Sequence, residues 1–183
     1  MNEIEKLLFE KFQVRRRLVE IRDSSFILSL RTNERLSKFI STTENNLSKQ
    51  EKWIELYKIR EINMQEFYFI FESDKNIPYG LIRIYNIDEH SFEIGSWIFT
   101  VNSPEGLSIL ADLSVRDFAF ENFNFDFCRF EVRKMNNAVA AYHKRFMPEK
   151  IGEDELSFSF QLSRNKYYIF RNKLLNFYSH GNK

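Results

Sequence analysis

Phe92 to Val101 reads as a strand, and Ser103-Pro104-Glu105-Gly106-Leu107-Ser108 turns it directly into a helix beginning near Leu107. The first backbone N–H groups of such a helix have no partner within it and point outward beside the positive end of its dipole. That arrangement holds phosphate: Gly106 permits close approach, and Ser103 and Ser108 supply hydroxyl donors. An ordinary turn with a helix cap would use the same residues, and Glu105 opposes an anion unless it turns away. Cys128 is the single cysteine, so no intrachain disulfide or multi-cysteine zinc site is available, and its strand context reads as a small apolar filler. The three histidines, His90, His143 and His180, are far apart in the chain, and no metal is expected. Arg15 and Arg17 share one face of a strand, with Arg16 on the other. They read as a solvated edge or as a contact for an anionic acceptor. Trp53 and Tyr57, four apart on a helix, read mainly as packing under a sheet.

These groups need elements to position them. Gln13 to Ile21 is β-like; Asp23-Ser24-Ser25 then opens a helix carrying Phe26, Ile27 and Leu30. Asn33 is placed to cap a second short helix with Leu36, Phe39 and Ile40, and Thr42 to Leu47 is a polar connection. Ser48 opens a third helix running to about Ile62. Glu66 to Glu72, Tyr79 to Ile87 and Phe92 to Val101 form three successive antiparallel strands. The period then changes: Leu107, Leu110, Ala111, Leu113, Val115 and Phe118 mark a helix to about Asn122. A strand at Phe127 to Val132, a helix at Asn136 to Arg145, a strand at Leu156 to Leu162 and a helical tail from Ser163 to about Phe177 complete the chain. Tyr167-Tyr168 and Phe177-Tyr178 would dock that tail or cover an interface such as a homodimer's; the oligomeric state is left open.

The 183 residues carry 43% apolar side chains, which suits one domain over residues 1–183 of α/β (α+β) class, with a mainly antiparallel mixed sheet flanked by helices. Twenty-seven Lys and Arg against twenty-six Asp and Glu leave a charge of +1. No overall field gathers nucleic acid or an anionic membrane. No apolar run is long enough to span a bilayer, and Met1 to Glu10 alternates acids with Leu and Phe instead of forming a signal sequence. A cytoplasmic setting is expected, with neither nucleic acid nor membrane as partner.

Several segments in order resemble the GNAT superfamily of acetyl-CoA-dependent N-acetyltransferases. VRRRLVEIRDSSFILSLRTN is similar to its first strand and helix, EIGSWIFTV (Glu93 to Val101) to its fourth strand, and RDFAFENFNFDFCRFEVRKMNN to the helix and strand that follow. The resemblance covers about residues 14–162 and leaves 163–183 as a tail. It places the family's pyrophosphate loop, Gln/Arg-x-x-Gly-x-Gly/Ala, on Ser103 to Ser108, where the central Gly106 alone agrees. The resemblance implies that Ser103, Gly106, Leu107 and Ser108 bind the acetyl-CoA pyrophosphate, that Asn136 meets its pantetheine end, and that a backbone N–H near Ile98, Phe99 or Thr100 polarises the thioester carbonyl.

Seven residues past Asn136 the family commonly has a Tyr that protonates the departing thiolate; here His143 stands there, beside Tyr142, and either is a candidate acid. Glu93 is the candidate base or water-positioner, with His90 as a weaker one. The resemblance is to the ribosomal-protein N-terminal and nucleotide amino-sugar acetyltransferases. It implies direct acetyl transfer to a primary amine of a nucleotide-linked amino sugar, with Arg15, Arg17, Lys58 or Arg60 meeting the diphosphate. The alternatives are a protein N-terminal acetyltransferase and a non-catalytic acyl-CoA-sensing module.

Overall fold

The computed structural model describes residues 2–180. In chain order the elements are α1 (Glu3–Phe12), β1 (Val14–Leu18), α2 (Ser24–Arg31), α3 (Leu47–Ile62), β2 (Phe67–Ser73), β3 (Pro78–Tyr85), β4 (Ser91–Phe99), α4 (Leu107–Asn122), β5 (Phe127–Arg133), α5 (Asn137–Lys144), β6 (Glu149–Glu153), β7 (Ser157–Ser163) and α6 (Arg164–His180). The strands form one mixed sheet in the order β1-β2-β3-β4-β5-β7-β6. Every neighbouring pair is antiparallel except β4 and β5. The expected α/β architecture and the three-strand meander are therefore present.

Burial of β2 on both faces explains its unbroken FYFIFES run. Phe67, Phe69 and Phe71 join the core shared with α1 and α4, while Tyr68 and Ile70 join a second core under α2 and α3. Helix α4 is buried nearly all round, with Asp112, Arg116 and Asp117 among its enclosed residues. Those charges must therefore find partners inside the protein. Asp117 accepts hydrogen bonds from the Tyr167 hydroxyl at 2.6 Å and from Arg171 Nη2 at 2.8 Å, which fastens α6 to α4.

The feature that makes a site is the short partnership of β4 and β5. They pair only at Ser91–Phe127, Phe92–Cys128 and Glu93–Arg129, and then part. The other edge of β4 keeps its pairing to β3 but shifts register between Leu81 and Arg83, so that Ser96, at φ +49°, forms a bulge. A bulge bends and twists its strand, and the bent β4 leaves a wedge between itself and β5.

One local expectation is corrected, and two elements are present that no sequence pattern singled out. The first residues form α1, closed by a capping box between Asn2 and Glu5. Asn33 caps nothing longer than a turn: its side chain accepts from the N–H groups of Arg35 and Leu36, yet residues 33–40 make only turns and bends. Strand β6 lies at an exposed sheet edge, where no apolar alternation is needed, and it leaves no sequence signal. The tail helix extends to His180, with residues 181–183 outside the described part. No helix among the described residues is long and apolar enough to cross a membrane.

Candidate active site

The wedge opens into a cleft of about 490 Å³. Trp97, Phe99, Phe130 and Val132 line it from the parted strands, Asp112 from α4, Asn136 and His143 from around α5, and Leu36 to Ser41 from the α2–α3 connection. A second cavity of about 320 Å³ lies under that connection, between α2, α3 and the sheet. Ser41, Arg83 and Ser96 line both, so the bulge lies between two adjacent spaces.

At one end of β4 the chain turns through 103–106 into α4. Gly106 caps the helix at φ +84°, ψ −12°, a conformation that L side chains rarely adopt. The Leu107 N–H is already bonded to the Pro104 carbonyl at 3.1 Å, and the Ser103 hydroxyl donates to the Thr100 carbonyl at 2.8 Å. The N–H groups of Gly106 and Ser108 have no partner among the described residues. The loop thus keeps open amides at the positive end of a sixteen-residue helix, and Glu105 is exposed. Those open amides fit a pyrophosphate even though the family's flanking residues are missing. Of the residues expected nearer the thioester, Ile98 and Phe99 line the cleft, whereas the Thr100 N–H is bonded to the Tyr79 carbonyl at 2.7 Å and is not free. Asn136 lines the cleft and also caps α5, accepting from the Val139 N–H at 3.3 Å.

Beneath the cleft lies a closed polar cluster that the sequence did not announce. Asp112 accepts from Arg116 Nε at 2.9 Å and from the Tyr142 hydroxyl at 2.8 Å. Arg116 is fully enclosed, with Nη1 3.0 Å from Cys128 Sγ. Burial pushes the Cys128 thiol up to about 12, which agrees with its reading as an inert filler. His143 stacks on Phe130 with ring centroids 4.2 Å apart and is only 5% exposed. Burial, reinforced by the nearby Arg116 charge, pushes its pKa down to about 3. His143 is therefore an uncharged imidazole at neutral pH, which corrects the expectation of a side chain titrating near 6.5. Its Nδ1 is buried without a protein partner. Tyr142 is held differently: burial first, and then Asp112, raise its pKa, and its proton is engaged by that carboxylate.

Glu93 does not line the cleft. Its carboxylate accepts from the Tyr85 hydroxyl at 2.7 Å and from Asn86 Nδ2 at 2.9 Å. Tyr85 does line the cleft, and its ring lies across Gly95, where an added Cβ would come within 2.7 Å of the hydroxyl oxygen. His90 is a surface residue facing Asp126.

The cations named for a diphosphate are spent elsewhere. Arg17 bonds Asp23 and Glu72, Arg15 bonds Glu72, Lys58 pairs with Glu61, and Arg60 with Glu66. Arg31, which the sequence reading passed over, lines the second cavity with no carboxylate partner among the described residues. It is held by the Thr43 hydroxyl at 2.6 Å, the Ser41 hydroxyl at 2.8 Å and the Ser96 hydroxyl at 3.3 Å. Arg133, at the cleft, is likewise without a carboxylate partner. Its place at the end of a candidate strand was a usable signal; nothing local distinguished Arg31. Among the described residues no three His, Cys, Asp or Glu side chains converge as a metal site.

Parted strands with a phosphate-competent helix end beside them form, in this mixed α/β fold, a cleft suited to a phosphate-bearing ligand. The family model for the acetyltransferase (GNAT) domain matches residues 14–146, and the chain belongs to that family. It is thus an acetyltransferase, and the sensing-module alternative falls away. Among solved structures it is similar to apo FdhC, a nucleotide-linked sugar GNAT, at 33% identity and TM-score 0.80, over 90% of this chain and 94% of that one. A spermidine N-acetyltransferase from Vibrio cholerae, in complex with CoA and spermine, matches at 19% identity and TM-score 0.72, over 85% and 98%. A chimera of that enzyme, SpeG, with hSSAT matches at 18% identity and TM-score 0.70, over the same shares. These two show likeness of fold alone. No curated protein sequence matches the chain.

Proposed function

We propose that the protein acetylates the primary amine of a nucleotide-linked amino sugar, with acetyl-CoA as donor. The observation that carries this reading is the positive charge of Arg31, without a carboxylate partner, in the cavity adjoining the cleft. A polyamine acceptor needs open carboxylates. Of those lining the two spaces, Glu44 is paired with Lys49 at 2.6 Å and Asp112 with Arg116 and Tyr142, leaving Glu131 at the exposed mouth. An acceptor that carries phosphate matches a cationic wall; spermidine and a basic protein N-terminus do not. The likeness to FdhC points the same way.

Acetyl-CoA supplies an activated acyl group as a thioester. The chain's part is to hold and orient it: the Gly106 and Ser108 amides at the pyrophosphate, Asn136 along the pantetheine, and the unpaired edge of β4 near Ile98 and Phe99 at the carbonyl. His143, which lines the cleft as an uncharged imidazole with a buried, unpartnered Nδ1, serves as a hydrogen-bonding group for the departing sulfur, while Tyr142 keeps Asp112 in place. Glu93 works through Tyr85, fixing that hydroxyl beside the attacking amine or its water. The deciding experiment is an acceptor screen with acetyl-CoA over nucleotide-linked amino sugars, spermidine and N-terminal peptides. The expected result is the highest kcat/KM on a nucleotide sugar; a preference for spermidine or a peptide overturns the reading.

A further inference from the structure

The second cavity has two further features that packing leaves unexplained. Tyr68, on β2, is 1% exposed, and its hydroxyl is buried without a hydrogen-bond partner. Burial raises its pKa against the pull of the Arg31 and Arg83 charges and of an Arg31 guanidinium near enough to donate to it. Gln50, on α3, is 7% exposed, and its amide has no partner among the described residues. Both line the cavity together with Trp53, whose ring packs edge-on against Tyr68 at 6.0 Å and has the Arg83 guanidinium at 4.9 Å. A buried hydroxyl without a partner costs about 1–3 kcal/mol, so a cavity wall that keeps one beside an unpaired amide and an open Arg is shaped for a polar ligand.

We propose that this cavity is the anchoring subsite for the nucleotide part of the acceptor, with Arg31 on a phosphate and with Gln50 and Tyr68 hydrogen-bonding the edge of the base. The inference rests on the reading of a nucleotide-linked acceptor and adds where the part that does not react is held. The amide of Gln50 offers a donor and an acceptor side by side, as the edge of a nucleobase does. Ser41, Arg83 and Ser96, which line both spaces, mark the passage by which the sugar would run from the anchored diphosphate toward the cleft. Anchoring there spends binding energy away from the reacting amine and orients it.

The test measures binding of uridine diphosphate, thymidine diphosphate and inorganic pyrophosphate to the full chain by calorimetry, each also tried as an inhibitor of transfer. A nucleoside diphosphate is expected to bind at least tenfold more tightly than pyrophosphate and to compete with the acceptor but not with acetyl-CoA. Tyr68→Phe and Gln50→Leu should each weaken the nucleoside diphosphate about fivefold or more, leaving pyrophosphate and acetyl-CoA affinity unchanged. Tyr68→Phe should leave the melting temperature unchanged or raise it, because the hydroxyl it removes has no partner. Equal binding of pyrophosphate and both nucleotides, or nucleotide affinity indifferent to both variants, overturns the proposal. If a nucleotide binds as expected yet no nucleotide sugar is acetylated, the subsite stands and the proposed reaction falls. If nucleotide sugars are acetylated with KM unchanged in both variants, the subsite alone falls.

Discussion

Two guanidinium groups near the cleft are finished in opposite ways. Arg116 is wholly enclosed and charge-paired: Nε bonds Asp112 and Nη1 reaches Cys128 Sγ, while Nη2 is buried without a partner. Arg31 is half-buried, gripped by hydroxyls, and faces a cavity whose one lining carboxylate, Glu44, is paired with Lys49. A charge that serves the architecture is closed by an opposite charge, because an unpaired ion in the interior costs several kcal/mol. A charge partly in water tolerates an open position, and the ligand can close it. On the proposed reading the Asp112 cluster belongs to the framework under the cleft, and Arg31 to recognition.

The largest effect should come from opening the closed site. Arg116→Met strands Asp112 and should lower unfolding free energy by about 3–5 kcal/mol, read by urea denaturation; a loss under about 1 kcal/mol would break the contrast with Arg31. Arg31→Met should do the reverse. It should raise the KM of an anionic acceptor by about tenfold to a hundredfold, from the roughly 1.5–3 kcal/mol of a charged hydrogen bond, and leave the acetyl-CoA KM near wild type. An equal rise in both KM values would assign Arg31 to structure.

Gly106→Val sharpens the comparison at the phosphate end. The left-handed backbone would strain a β-branched side chain by about 1–3 kcal/mol, and its Cβ would come within 3.0 Å of the Tyr178 hydroxyl oxygen. Acetyl-CoA affinity should fall at least tenfold, and an unchanged titration would remove the loop assignment.

A last effect is graded with pH. His143 is held neutral in the folded protein down to about pH 3, whereas in the unfolded chain it takes up a proton near 6.5. Between those values the unfolded state binds the extra proton, so stability falls as pH falls through that window, by at most about 1.4 kcal/mol per pH unit. Arg116 and Asp112 are the charges that act on it. His143→Phe should flatten that part of the acid limb in denaturation measured from pH 7 to 4, and an unchanged slope would mean that His143 titrates normally.

Much of the framework was legible in order. Leu107 to Asn122 was readable as a helix because its apolar residues recur at helical spacing, and β2 to β4 because runs of β-formers end at turn residues. Strand β6 and residues 33–40 were not, since an exposed edge has no apolar period and a cap residue does not by itself make a helix. Of the proposed site residues, Gly106, Asn136 and His143 were singled out because the resemblance supplied their spacing. The sequence by itself determined the order of most elements, the turn proposed for phosphate, and the family. Only the tertiary structure decided which charges are open and which protons can move. Arg17 is closed by Glu72, fifty-five residues away, while Arg31 meets Ser96 across sixty-five and no acid. The neutrality of His143 comes from Phe130 and Arg116 packed around it. Charge pairing and desolvation depend on what the fold brings within a few ångströms, and no local pattern of residues encodes that distance.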